Sequence, residues 1–515
     1  MAAAPKIISR KTGKNMGLIL GGLGLLLLLY SLVSSTWAKS SSGLVMSLGL
    51  IALGSFFYSD QLYRNRHPGI HNDGVWFTSL TNRGILGWFV AMALTVFYCC
   101  LYFYPERLGY YPNGNTGLIQ FFDPLSLVLN GKFATQWFVY GVIYTLAILL
   151  FGIKFLYKYR HSRYQSIRTL SVMFFQLCFA FLIPEFLSLM HPDTPYFAKD
   201  LKNMWPLNHY FFESWHLNNM LNGGTLGLVM LGGGLSMIFI ISPVLTYWYG
   251  KRWYCSWVCG CGALAETAGD PFRQLSSKSL SIWKLERWII HLVLVLVVLT
   301  TIAVLWSFLG KQPNAIYLTQ ENFIIGVVIG LSTLMSAIYC FKRKELNKDA
   351  LYSLLSVGIL IIGTLSIQSF SGEKHILFIK SYTLTKWYGF AIGAIFSGVL
   401  GVGFYPLLGS RVWCRFGCPM AAILGLQQRL FSRFRITTNG GQCISCGNCS
   451  TYCEMGIDVR AYAQRGQNIV RSSCVGCGIC STVCPRGVLK LENGPVENRT
   501  LLPPFPLGNA TEKQS

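Results

Sequence analysis

The chain has 515 residues, 52% hydrophobic and 12% charged, about half the charged share usual in a soluble domain. Its 43 Lys and Arg against 20 Asp and Glu leave a net charge of +23, which on so apolar a background marks loops facing anionic lipid and excludes a nucleic-acid-binding or disordered chain. Seventeen cysteines in so long and apolar a chain exclude a small secreted disulfide scaffold and imply thiols kept reduced or bound to metal.

Windows of about 20 apolar residues are long enough to cross a bilayer. Ten such windows centre on 16–35, 42–59, 84–104, 134–157, 167–190, 222–248, 287–309, 322–341, 350–370 and 387–408. One alternating set of connections holds nine Lys and Arg, while the N-terminus and the other set hold twenty-two. Basic residues collect on the cytoplasmic side, so both termini are expected in the cytoplasm. The first window carries a basic flank (Lys6, Arg10, Lys11, Lys14) and reads as a retained anchor rather than a cleaved signal peptide. The expected setting is a bacterial-type cytoplasmic (inner) membrane, crossed many times.

The expected fold is therefore an all-α polytopic membrane protein of about ten transmembrane helices with a small C-terminal α+β domain. Residues 1–221 form an N-terminal five-helix membrane region and 222–434 a second membrane region. Residues 435–495 form the terminal domain, and 496–515 are a flexible tail.

Within the fifth window, Ile183-Pro184-Glu185 puts a carboxylate toward its outer third. Intramembrane carboxylates are costly and default to a functional role, so Glu185 is a candidate for quinol chemistry. The following outer loop adds His191, Asp193, Trp205, His209, Glu213, Trp215 and His216. His291, inside the seventh window near its cytoplasmic end, is a second catalytic candidate. Haem is not expected: no C-x-x-C-H occurs, and only His291 of the eight His lies within a window.

Two segments repeat at an offset of 159 residues: Gly250-Lys-Arg-Trp-Tyr-Cys255-Ser-Trp-Val-Cys259 and Gly409-Ser-Arg-Val-Trp-Cys414-Arg-Phe-Gly-Cys418. Each follows a span that returns to the cytoplasmic surface. On a helical turn C-x3-C sets both sulfurs on one face, and two such pairs facing one another form a four-thiolate site. Such a site suits a third [4Fe–4S] cluster or a soft ion, copper or zinc. Cys261 is an alternative ligand.

The strongest signal is the terminal pair of runs, Cys443-x2-Cys446-x2-Cys449-x3-Cys453 and Cys474-x2-Cys477-x2-Cys480-x3-Cys484-Pro485. Three thiolates from one tight loop cap three irons of a cubane, and the displaced fourth ligates the other cluster. Cys443, Cys446, Cys449 and Cys484 are thus assigned to one [4Fe–4S] cluster, and Cys474, Cys477, Cys480 and Cys453 to the second. Glu454 stands where a Pro usually follows the fourth cysteine. From residue 435 onward eight Lys and Arg face five Asp and Glu, a balance suited to anionic lipid or an acidic protein partner.

The paired C-x3-C segments, the second as Cys414-x3-Cys418-Pro419, followed by a double ferredoxin run, resemble the polytopic membrane ferredoxins. That family includes the quinol-dehydrogenase membrane subunit of periplasmic nitrate reductase systems and the membrane electron donor of nitrous oxide reductase. A copper-reducing assembly protein of cytochrome oxidase is a more distant relative. The resemblance covers roughly residues 222–490 and departs from the pattern at Gly260, where Pro is usual. It implies electron transfer between a quinone pool or membrane partner and another redox protein through iron–sulfur clusters. The alternative is a metal-handling factor that binds and reduces copper at the paired C-x3-C motifs.

Overall fold

The computed structural model describes residues 4–64, 83–195, 211–310, 319–342, 348–371, 375–376 and 379–494. Among these, eight helices are long and apolar enough to cross a membrane: α1 (Ala4–Tyr30), α2 (Ser41–Tyr63), α3 (Ile85–Phe103), α4 (Gln136–Lys158), α5 (Arg163–Met190), α6 (Gly224–Tyr249), α7 (Leu280–Leu309) and α8 (Gln320–Lys342). The ninth and tenth expected spans are helical too. One is α9 (Lys348–Ser371), whose apolar stretch runs only over Leu355–Ile367. The other is α10, which begins at Ser381–Tyr388 and continues as the wider π winding of Gly389–Gly403. Large apolar side chains such as Phe89, Phe239 and Trp288 stand exposed on the helices, as a lipid-facing surface requires.

Helices α1 and α2 pack at backbone contact. A Cβ on Gly54 would lie 2.4 Å from Gly21 N, and one on Gly17 would lie 2.7 Å from Tyr58 N. Such small-residue faces let membrane helices associate by close packing where no hydrophobic drive exists.

The terminal domain sits against one end of the bundle. Strand Arg435–Thr438 pairs antiparallel with Leu489–Glu492 and brackets both cysteine runs. The tail expected over 496–515 lies outside the described residues. Helices α4 and α5 turn directly beneath the second run: Tyr164 Oη donates to Gly476 O at 2.9 Å, and Gln165 Nε2 to Cys477 O at 2.9 Å. The paired-motif segments bind the same run, through Ser256 Oγ to Val475 O at 2.8 Å and Gln428 Nε2 to Cys474 O at 3.0 Å.

Between these layers lies a buried network of charge. Glu454 is fully buried between Arg273 Nη1 at 2.8 Å and Arg411 Nε at 3.0 Å. Glu266 is gripped by Arg168 of α5 and by Arg411. Asp270 accepts from Lys158 Nζ at 2.7 Å and from Arg273 Nε at 2.8 Å. Burial alone would raise the Asp270 carboxyl, yet Lys158 and Arg273 hold it down to about 2. The residue that departs from the ferredoxin pattern thus ties the terminal domain to the membrane region.

Removing one member of a buried ion pair strands its partner, at about 3–5 kcal/mol. Glu454→Gln is therefore expected to lower the thermal midpoint and hasten proteolytic release of the terminal domain. A midpoint and cleavage rate equal to the parent's would contradict this clamp.

Candidate metal centres

The two terminal runs fold as short loops, each turned by glycine. Gly447 and Gly478 have φ of 80° and 76° and cap the short helices Asn448–Thr451 and Ile479–Thr482. Left-handed backbone of this kind, free of Cβ, aims successive N–H groups into the loop, where negative sulfur would need them. At Gly478 a Cβ would also lie 2.7 Å from the Tyr164 ring, so the loop and α5 meet without room for a side chain.

The structure sets cysteines of the two runs beside one another. Cys443, Cys446, Cys449 and Cys484 line one cavity with Gly447 and Arg460. Burial pushes the Cys449 thiol up to about 11, and Cys446, Cys484 and Cys443 add to the rise. Burial likewise pushes the Cys453 thiol up to about 11, with Cys474 of the other run contributing. Cys480 is raised by burial and then by Cys477, Cys453, Cys474 and Cys449, so it neighbours its own set and one member of the other. Four crowded thiols that repel one another as thiolates are a donor set in need of cations, which the irons of a cubane supply. The residues fit the group.

The paired motifs converge on a third set. Cys255 and Cys414 are buried in the same core cluster as the terminal runs, with Cys418 packed against it. Arg411 Nη1 lies 3.6 Å from Cys414 Sγ and donates to Cys255 O at 3.3 Å, while Ala421 N donates to Cys418 Sγ at 3.4 Å. Cys255 is raised to about 12 by burial, with Cys259 and Cys414 adding to the rise and Lys251 and Arg411 easing it. Cys259 hydrogen-bonds Cys261, and Cys261 is exposed. Five sulfurs therefore gather where the sequence reading expected four and an alternative.

Three arginines face the second set. Burial pushes the Cys477 thiol up to about 12, and Glu454 adds to this, while Arg273 and Arg168 oppose it. Glu266, Glu454 and the Cys477 sulfur lie within 4.8 Å of one another, which is why their arginines are indispensable. The roles of Glu454, Glu266, Arg168 and Arg411 were not drawn from sequence. The one signal was Glu454 itself, standing in place of Pro.

The second departure has a similar cause. A Cβ on Gly260 would lie 2.4 Å from Gln176 Oε1 and 3.5 Å from the Tyr144 ring, so α4 and α5 occupy the space a Pro would need. The remaining candidates lie apart from the sulfurs. Glu185 is buried on α5 and accepts from Asn130 Nδ2 at 2.6 Å. His291 is exposed on α7 and contacts its own helix at Arg287 O. His209 and Trp205 lie outside the described residues.

Crosswise ligation predicts a specific pattern of iron loss. Cys453→Ala combined with Cys474→Ala should lose about four irons per chain, no more than either alone. Combined with Cys443→Ala it should lose about eight. The reverse pattern in iron assays would contradict the assignment.

Comparison with known proteins finds iron–sulfur domains over the same segments. Residues 442–489 match a 4Fe-4S dicluster domain. Residues 232–279 and 389–437, which contain the two C-x3-C motifs, each match a 4Fe-4S binding domain. A curated relative, "Putative electron transport protein YccM" of Escherichia coli (strain K12), is 23% identical over 226 residues, covering 44% of this chain. The chain spans 47% of that relative's length. No solved structure matches. The chain carries 4Fe-4S ferredoxin-type domains on a multi-helix, membrane-spanning scaffold, which supports iron–sulfur electron transfer.

Proposed function

We propose that this protein relays single electrons between the quinone pool, or a membrane redox partner, and a second redox protein through [4Fe–4S] clusters. The observation that carries the reading is the merging of Cys255, Cys414 and Cys418 of the paired motifs with seven of the eight terminal cysteines, all but the exposed Cys446, into one core. Clusters held by those thiolates would supply reversible one-electron acceptance. The protein supplies position, exclusion of water and compensating charge. Arg168, Arg273 and Arg411 offset the negative charge concentrated at Cys477, Glu266 and Glu454.

The uneven distribution of Lys and Arg supports a cytoplasmic terminal domain on a bacterial-type inner membrane. The basic terminal domain would then lie beside anionic lipid and meet an acidic protein. Glu185 and His291 are proposed only as proton-handling groups. Glu185 is buried with Asn130, and His291 stands exposed against its own helix at Arg287 O, so neither is given a direct part in electron transfer.

One observation favours a second reading. Cys261 is exposed and bonded to Cys259, an accessible pair of soft donors that suits Cu(I). In that reading the clusters would reduce copper at the paired motifs.

Anaerobic protein titrated potentiometrically and followed by EPR should show several one-electron centres, reduced by decylubiquinol or menadiol as well as by dithionite. Clusters that respond to dithionite but to neither quinol would contradict the quinone link. Copper bound in proportion to Cys255, Cys259 and Cys261 would favour the second reading.

A further inference from the structure

A quinone partner poses a geometric problem, because the terminal clusters lie at one end of the bundle while quinol chemistry needs a site reachable from the membrane. The end that carries the terminal domain is fixed by Arg83, just before α3, which donates to Leu275 O at 2.6 Å and Leu407 O at 2.8 Å. Tyr102, at the other end of α3, is about 25 Å away along the helix.

At that far end the described residues form a cavity of about 350 Å³, at the lower end of small-molecule sites. Its lining includes Tyr102, Glu213, Tyr382, Lys386 and Phe390. Phe390 and Tyr382 are more than half exposed, so an apolar tail can reach the cavity from lipid. The polar groups converge: Trp215 Nε1 donates to Glu213, and Lys386 acts electrostatically on the same carboxylate. Lys386 Nζ also sits 5.0 Å from the Tyr382 ring. Burial raises the Glu213 carboxyl, opposed by Trp215 and Lys386, which suits a group that takes up a proton.

From this cavity a column of tyrosines leads inward. Tyr102 stacks on Tyr98 with centroids 5.4 Å apart, and Tyr140 on Tyr144 at 5.7 Å. Tyr140 is within electrostatic reach of both Tyr102 and Cys261, and Tyr144 of Cys261 and Cys259. Tyr144 lies about 12 Å along α4 from its far end and about 21 Å from its near end. The Cys259–Cys261 turn therefore lies level with the middle of α4, and Tyr140 and Tyr102 stand between it and the cavity.

We propose that the cavity at Tyr102, Glu213, Lys386 and Phe390 is a quinol-oxidation site on the face opposite the terminal domain, joined to the paired-motif centre through Tyr140 and its stacked neighbours. The proposal rests on the electron-transfer reading above and adds the site and direction of entry. The reaction is QH2 → Q + 2 H+ + 2 e−. One hydroxyl O–H bond breaks toward the Glu213 carboxylate and the other toward water at the cavity mouth. Lys386 holds the ring oxygen that gains negative charge. The two electrons would be accepted one at a time by [4Fe–4S] clusters held by the paired-motif cysteines and by the Cys474 run, each cluster going from its oxidised to its one-electron-reduced form. Protons are released on one face and electrons collected at the other.

The test uses the full chain in nanodiscs under anaerobic conditions. Binding of decylubiquinone and menadione is read from tryptophan quenching, and bleaching of cluster absorbance follows decylubiquinol, menadiol or dithionite. Lys386→Met should weaken quinone binding about tenfold, as expected when a charge-assisted hydrogen bond is lost, and Glu213→Gln, which removes the proton acceptor, should slow bleaching by quinol about tenfold. Tyr140→Leu should bind normally yet bleach more slowly with quinol, and Tyr140→Phe should restore the rate. All variants should keep parental iron content and dithionite bleaching. If the parent bleaches with dithionite but with neither quinol, the electron-transfer reading from quinol fails. If the parent bleaches with quinol and the Glu213 and Lys386 variants bind and bleach as it does, the site lies elsewhere. Normal bleaching in Tyr140→Leu would overturn the path.

Discussion

The arrangement depends on a buried exchange of charge centred on Glu454. Arg273 and Arg411 reach it from the membrane-facing loops, and Arg411 also binds Glu266, which Arg168 holds from α5. Burying so many charges yields little net stability, since desolvation offsets most of the attraction. What it confers is fixed register. A cluster-bearing domain displaced by one turn would leave several ions unpaired. Arg411 also contacts Cys414 and the Cys255 carbonyl, so the network that docks the domain also orders the paired motifs.

This accounts for the N-terminal half, which neither cysteine pattern explains. Helices α4 and α5 supply Lys158, Tyr164, Gln165 and Arg168, four contacts to the terminal domain or the loop beneath it. They also supply Tyr144 and Gln176, which close over Gly260. Both places where the chain departs from the resembled pattern, Gly260 and Glu454, lie in this contact zone. The departures mark an altered surface around the sulfurs, fitted to additional helices, with the sulfur donors themselves retained.

Much of the site was legible because thiolate chemistry fixes its own spacing. Three cysteines at two-residue gaps and a fourth beyond a short turn permit few arrangements, and the crosswise assignment rests on that. The helices were legible by length and apolarity, although α9 is apolar over a shorter stretch and α10 winds more widely than a run of hydrophobic residues can reveal. The ion network was not legible. Glu454 and Arg273 are separated by 181 positions, and Lys158 and Arg168 read as ordinary basic residues of a cytoplasmic loop although both are buried. The tyrosine column was hidden for a related reason. Pairs such as Tyr98 with Tyr102 are what any aromatic helix face shows, and their alignment with Cys261 arises only when α3, α4 and the motif meet.

The central claim is that three sulfur sets form one iron–sulfur chain rather than a two-cluster ferredoxin on an unmetallated anchor. Iron, sulfide, copper and zinc per chain on anaerobically purified protein test it most directly. The account predicts about twelve irons with equal sulfide, and spin coupling between neighbouring centres in the dithionite-reduced EPR spectrum. About eight irons, with the paired motifs empty or holding copper or zinc, would contradict it.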